Sequence, residues 1–251
     1  MTRHRKALLV TGGGRGIGAA TARLAAAHGW RVAVNYVRDE SAARTVVSEI
    51  EEQGGEAFAI QGDVGSEADI MAMFEAVDGR FGSLEGLVNN AGVVDVQARV
   101  DEMSVERLER QMRINVIGSI LCAREAVKRM STRHGGHGGA IVNVSSVAAV
   151  LGSAGEYVDY AAAKGAIDTF TVGLAREVAE EGIRVNAVRP GTIDTEIHAS
   201  GGQPDRAQRV AAMIPMKRPG KAEEIARAIV WLLSDDASYT TGALLDVSGG
   251  R

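Results

Sequence analysis

Short apolar runs alternate with longer amphipathic stretches along most of the chain. "KALLV" (6–10) predicts a strand, and after a glycine turn "GAATARLAAAHG" predicts a helix ending at Gly29. "RVAVNY" (31–36) is the next strand and "SAARTVVSEIEEQGG" the next helix, stopped by Gly54 and Gly55. "EAFAIQGDV" predicts a strand with its loop. "SEADIMAMFEAVDGRFG" predicts a helix with Ser66 and Asp69 at capping-box spacing. Four more strands are expected in "LEGLVNN", "GAIVNVSS", "IRVNAVRP" and "ALLDVSG". Between them lie a long helix over "SVERLERQMRINVIGSILCAREAVKRM", an alanine-rich helix over 156–181 and a helix over "KAEEIARAIVWLLSD". Continuously apolar strands separated by helices imply a parallel sheet covered on both faces. The expected fold class is α/β, a doubly wound parallel sheet of about seven strands in a single domain over 1–251.

The alternation lapses once. All four prolines (Pro190, Pro204, Pro215, Pro219) follow residue 189, and no regular pattern runs between 191 and 220. A long connection after a strand C-terminus, where open α/β sheets bind ligands, predicts a substrate lid over 192–220. "HGGHGG" (134–139) reads as a solvated turn. No Cys or carboxylate cluster accompanies His134 and His137, so no metal site is expected.

Composition narrows the function classes. Apolar residues make up 45% of 251, enough for one sizeable core, but only 4% are aromatic and 31 are glycine. The core must therefore be Ala, Val, Leu and Ile, closely packed. A net charge of -4 offers no cationic excess for a phosphate backbone, so nucleic acid is not an expected partner. The single cysteine, Cys122, cannot form an internal disulfide, which fits a reducing compartment. The apolar run near the N-terminus is too short for a signal-peptide core, and no stretch approaches a membrane span. A cytoplasmic protein without a membrane partner is expected.

"TGGGRGIG" (11–18) follows the first strand and opens the first helix. In that context glycines let the backbone approach a pyrophosphate, and the helix N-terminus supplies free N–H groups. A P-loop would need Lys after Gly18, where Ala19 stands. The second strand ends in "NYVRD", with no acid at its tip to bond an adenosine ribose. Arg15 and Arg38 could instead pair with a 2′-phosphate, which points to NADP. With Asp39 as the ribose ligand, NAD is the alternative.

The glycine turn, "NNAG" (89–92), "YAAAK" (160–164) and "RPG" (189–191) occur in this order. Together they resemble the short-chain dehydrogenase/reductase family over essentially the whole chain, most closely the 3-oxoacyl-carrier-protein reductase and glucose dehydrogenase type. The resemblance implies a Rossmann fold and hydride transfer between a nicotinamide and a carbonyl or secondary alcohol. It implies that Gly12, Gly14, Arg15, Gly16, Ile17 and Gly18 hold the cofactor's phosphates and adenosine end. Asp63 and Val64 would meet the adenine, and Asn90, Ala91 and Gly92 the adenosine ribose. Ile193 and Thr195 would touch the carboxamide and a phosphate. Asn115, one serine, Tyr160 and Lys164 would be catalytic, with Asn115 holding a water in a proton relay. A homotetramer is likewise implied, with dimer contacts through the helices over 104–130 and 156–181.

The residues support the chemistry independently. Hydride addition needs a proton donor for the oxygen, and a tyrosine can supply it if a nearby ammonium lowers its pKa. Lys164 follows Tyr160 by four residues, hence on one helical face. Tyr157 stands two turns from that lysine, roughly 10 Å of rise, and reads as pocket rim or packing. Adjacent Ser145 and Ser146 should point to opposite sides. Their spacing does not choose between them; the family pattern selects Ser146, with one extra residue between it and Tyr160, in "GSAGEYVD". Arg99, Glu156 and His198 are candidates to meet a polar substrate. A non-catalytic NADP-sensing regulator on the same fold is the alternative function, though a sensor has no need of the proton-transfer set.

Overall fold

Along strand β1 (Ala7–Val10) every side chain is buried, and successive residues enter different cores. Leu8 and Val10 pack on one face of the sheet, Ala7 and Leu9 on the other. The computed structural model describes residues 5–251, apart from the side chains of His198 and Ser200. Six further strands follow: β2 (Arg31–Tyr36), β3 (Glu56–Gln61), β4 (Gly86–Asn89), β5 (Gly139–Val144), β6 (Ile183–Pro190) and β7 (Leu244–Val247). They pair in the order β3-β2-β1-β4-β5-β6-β7, all in parallel. The expected seven-stranded, doubly wound sheet is present.

Helices α1 (Gly16–Ala27) and α2 (Glu40–Glu52) cover the first face together with α10 (Ala222–Leu233). The second face carries α3 (Glu67–Phe81), α5 (Ser119–Met130) and α7 (Val158–Glu177). Small side chains make this possible. Ala19, Ala22 and Ala25 let α1 lie close to the sheet, and Ala123 and Ala126 do the same for α5. No described helix is long and apolar enough to cross a membrane.

Two expected helices differ in detail. The stretch over 104–130 is not one helix: α4 (Val105–Met112) passes into a wide, π-type turn over Arg113–Gly118 before α5 begins. Such turns gather at functional sites. Gly118 closes this one, because a Cβ there would stand 2.5 Å from the Val64 carbonyl oxygen. The helix expected over 156–181 is α7, which starts at Val158; a short 3₁₀ turn follows at Ala179–Glu181.

Sheet order reverses between β1 and β4, opening a crevice at the C-terminal strand ends. Segment 192–220 lies after β6 and holds two short helices, α8 (Ile197–Ser200) and α9 (Arg206–Arg209). A one-turn helix, α6 (Ala148–Leu151), follows β5. The base of the 192–220 segment is closed by a bridge between Ile193 and Gly220.

A buried amide ladder ties the sheet's centre to its second helical layer. Asn89 donates to Asn143 Oδ1 and to the Ser119 carbonyl, both at 3.0 Å. Asn143 donates in turn to Thr171 Oγ1 at 2.9 Å. Removing one member strands the others without water, so Asn143→Ala should cost about 1–3 kcal/mol. Urea denaturation would measure this; a loss near zero would show that the ladder relaxes freely.

Candidate active site

The turn after β1 is shaped by its glycines and held by two asparagines. Gly12 adopts φ +62°, a left-handed conformation that glycine takes without strain. A Cβ on Gly18 would stand 2.3 Å from the Gly12 carbonyl oxygen, so the turn closes only around a hydrogen atom. Asn35, fully buried at the end of β2, accepts the Gly12 N–H at 3.0 Å. Asn90 donates to the carbonyls of Thr11 and Gly12 at 2.9 and 3.0 Å. Thr11 Oγ1 accepts the N–H groups of both Asn90 and Ala91 at 3.0 Å.

Helix α1 begins at Gly16 with no side-chain cap and no acid in its first turn. A helix N-terminus of this kind offers N–H groups to an anion, and the Glu196 carboxylate lies beside it, its Oε2 3.6 Å from where a Cβ on Gly16 would be. Thr195 overlies this end, its Cβ 3.4 Å from where a Cβ on Gly16 would be. Ile193 is buried at the base of the 192–220 segment. The cradle of Gly12, Gly14, Gly16, Ile17 and Gly18 thus fits the pyrophosphate of a dinucleotide.

At the adenosine end, Asp39 is engaged elsewhere: its carboxylate caps α2 by accepting the Ala42 N–H at 2.9 Å. Asn35, buried near the end of β2, also donates to the Gly62 carbonyl, 2.9 Å away. Arg15 and Arg38 are both exposed. Asp63 steadies the loop after β3, taking the Gly65 N–H at 2.8 Å, and Val64 beside it is buried.

Four side chains converge where β4 and β5 end. Asn115, fully buried in the π-type turn, accepts the Val93 N–H and donates to the Val93 carbonyl, each at 2.9 Å. It thereby clamps the chain just after Gly92. A Cβ on Gly92 would stand 2.9 Å from Asn115 Oδ1 and 3.6 Å from Lys164 Nζ. Lys164 donates to the Val144 carbonyl at 2.7 Å, and its ammonium lies 5.5 Å from the centre of the Tyr160 ring. One helical face does present both residues.

The two serines separate as neighbouring strand residues should. Ser145 is buried and donates to the Lys164 carbonyl at 3.2 Å, tying β5 to α7. Ser146 faces the cleft, where its hydroxyl bonds the Tyr160 phenol and pulls that pKa down. Burial outweighs this and pushes Tyr160 up to about 12. Lys164 stands beside the same ring. The ammonium is turned to Val144, and burial drags its own pKa down to about 8.

The loop between Ser146 and Tyr160 absorbs its extra length in left-handed residues, Gly152, Ser153 and Gly155. Tyr157 is buried at the rim and accepts from Gln203 at 3.0 Å. Glu156 was a candidate for substrate contact, yet Arg206 grips its carboxylate at 3.0 and 2.5 Å. Gln97 bonds the same carboxylate at 2.9 Å. Arg99 is likewise paired, with Asp101 at 3.1 Å. The Glu156 contacts fasten separate segments, whereas the Arg99 pair is local and exposed. The His198 side chain lies outside the described residues. Thr11 and Asn35 were not singled out from sequence. The one signal for Asn35 was the missing acid at the tip of β2.

The family model described as enoyl-(acyl carrier protein) reductase matches residues 12–251. The chain is 58% identical to the uncharacterized oxidoreductase YgfF of Escherichia coli, over 97% of this chain and 98% of that protein. It is 40% identical to 3beta-hydroxysteroid dehydrogenase 1 of Eggerthella lenta, over 98% of this chain and 93% of the relative. A crystal structure of a short chain dehydrogenase from Burkholderia cenocepacia in complex with NADP superposes with a TM-score of 0.90. That match covers 98% of each chain at 32% identity. On these similarities and the crevice geometry together, the chain belongs to the short-chain dehydrogenase/reductase family and is an oxidoreductase acting on alcohol or carbonyl groups.

Proposed function

We propose that this protein transfers a hydride between NADP(H) and a small carbonyl or secondary alcohol, with Tyr160 as general acid and base. The observation that carries this reading is the convergence of Tyr160, Ser146, Lys164 and Asn115 beside the glycine cradle. When bound, the nicotinamide supplies or accepts the hydride.

The chain's own residues do the rest. With its pKa near 12, the Tyr160 phenol is fully protonated at neutral pH, the state that carbonyl reduction requires. Ser146 donates to the same substrate oxygen as negative charge gathers there. Lys164 steadies the phenolate left behind and, by family likeness, holds the nicotinamide ribose. Asn115 fixes the backbone at Val93 and leads the relay that returns a proton. Segment 192–220 acts as the substrate lid, fastened to the rim through Arg206–Glu156 and Gln203–Tyr157.

NADP is preferred over NAD because the tip of β2 carries no acid and the Asp39 carboxylate caps α2, leaving Arg15 and Arg38 for a 2′-phosphate. The Cys122 thiol is buried, outside any disulfide and pushed up to about 12 by burial, which suits the cytoplasm. Exposed apolar side chains from α4 into α5 (Val105, Leu108, Met112, Ile117 and Ile120) support assembly into a homotetramer.

Tyr160→Phe should lower NADPH oxidation over a carbonyl panel by at least about 100-fold while leaving NADPH binding intact. Ser146→Ala should lose about 100-fold and Ser145→Ala far less; the reverse order would reassign the serine. Replacing Arg15 and Arg38 by Ala should weaken NADPH binding by about 10- to 100-fold and leave NADH binding unchanged, read by fluorescence titration. Light scattering should return the mass of four chains, and a monomer would refute the assembly.

A further inference from the structure

Helix α7 carries Tyr160, Lys164 and Asp168 at successive four-residue steps, so all three share one face about 6 Å apart in rise. The first two have roles above. Asp168 is a carboxylate only 7% exposed, where an apolar side chain would pack without cost. Its Oδ2 accepts from Arg189 at 2.9 Å. Its Oδ1 is buried and takes no hydrogen bond from the described residues. Arg189 is the next-to-last residue of β6, before Pro190, and reaches Asp246 on β7 at 3.6 Å. A half-satisfied buried carboxylate calls for a reason.

Lys164 supplies one. It is 5% exposed, and the loss of water pulls its pKa down to about 8, with the negative charge of Asp168 acting in the opposite direction. The groups around it are Tyr160 and Asp168 on its own helix, Ser145 and the Val144 carbonyl from β5, and Asn115 beside Gly92. Beyond Asp168 stand Arg189 of β6 and Asp246 of β7. Asp168 is the anion among them that shares the buried face of α7 with Lys164, one turn away.

We propose that Asp168 is a positioning residue for proton transfer: gripped by Arg189 one helical turn beyond Lys164, its carboxylate keeps that buried ammonium charged. The proposal rests on the Tyr160–Lys164 acid–base reading. The sign follows from the charges. Removing the carboxylate leaves Lys164 facing a bare guanidinium, so its midpoint falls and the charge is lost at lower pH. Removing Arg189 leaves the carboxylate unopposed, so the midpoint rises.

The test is an NMR titration of isotope-labelled lysines in the full-length protein, with the Lys164 signal assigned from its loss in Lys164→Arg. Wild type should show a midpoint near about 8. Asp168→Asn should move it down by about one unit or more, and Arg189→Gln should move it up. The basic limb of the pH profile for carbonyl reduction should follow each shift. An unmoved midpoint in Asp168→Asn, or shifts of the same sign in both variants, would overturn the proposal. If Asp168→Asn does not fold, Arg189→Gln decides: a rise supports it, and no change or a fall overturns it. Undiminished turnover in Tyr160→Phe would sink the acid–base reading alone, since the Lys164 midpoint is read without turnover.

Discussion

Backbone groups that leave a sheet at a buried crevice must still find hydrogen-bond partners, and side-chain amides meet that need throughout this site. Asn35 takes the Gly12 N–H, Asn90 bonds the Thr11 and Gly12 carbonyls, and Asn115 bonds both groups of Val93. Each amide offers donor and acceptor together, so a single side chain can replace the strand neighbour that a turning backbone has lost. The glycine turn, the wall at 90–92 and the π-type turn are thereby fixed relative to one another.

Those fixed turns set the electrostatics of the chemistry. Tyr160 and Lys164 lie where burial disfavours the charged form of each, raising the phenol and lowering the ammonium. Burial thus pushes the two pKa values apart, the phenol up to about 12 and the ammonium down to about 8. Ser146 and Asp168 each work against the burial of one partner. A site balanced in this way responds strongly to small changes in solvation.

The rim is organised by charge as well. Glu156 joins Gln97 on one side to Arg206 on the other, and Tyr157 adds a bond to Gln203 and a face for the Arg206 guanidinium at 5.2 Å. One buried pair, Arg107 with Asp159, anchors α4 to the residue before Tyr160 at 2.7 Å. The rim is thus moored to the start of helix α7.

Local sequence was enough for the strands, the order of helices, the phosphate turn and the pairing of Tyr160 with Lys164. Each depends on periodicity or on neighbours a few residues apart, and "IRVNAVRP" became β6 residue for residue. The break at Arg113–Gly118 was hidden, because it arises where Gly118 meets Val64 across the fold. Ser145 and Ser146 could be told apart only once α7 lay beside β5 and claimed one hydroxyl for the Lys164 carbonyl. Glu156 looked available to a substrate because its partners, Gln97 and Arg206, lie at least 50 residues away in the chain. Asp168 looked like an ordinary helix residue until folding buried it against Arg189, 21 residues away. Periodicity and composition determine which elements form; hydrogen bonds and charges between residues far apart in the chain determine which side chains are left free for chemistry.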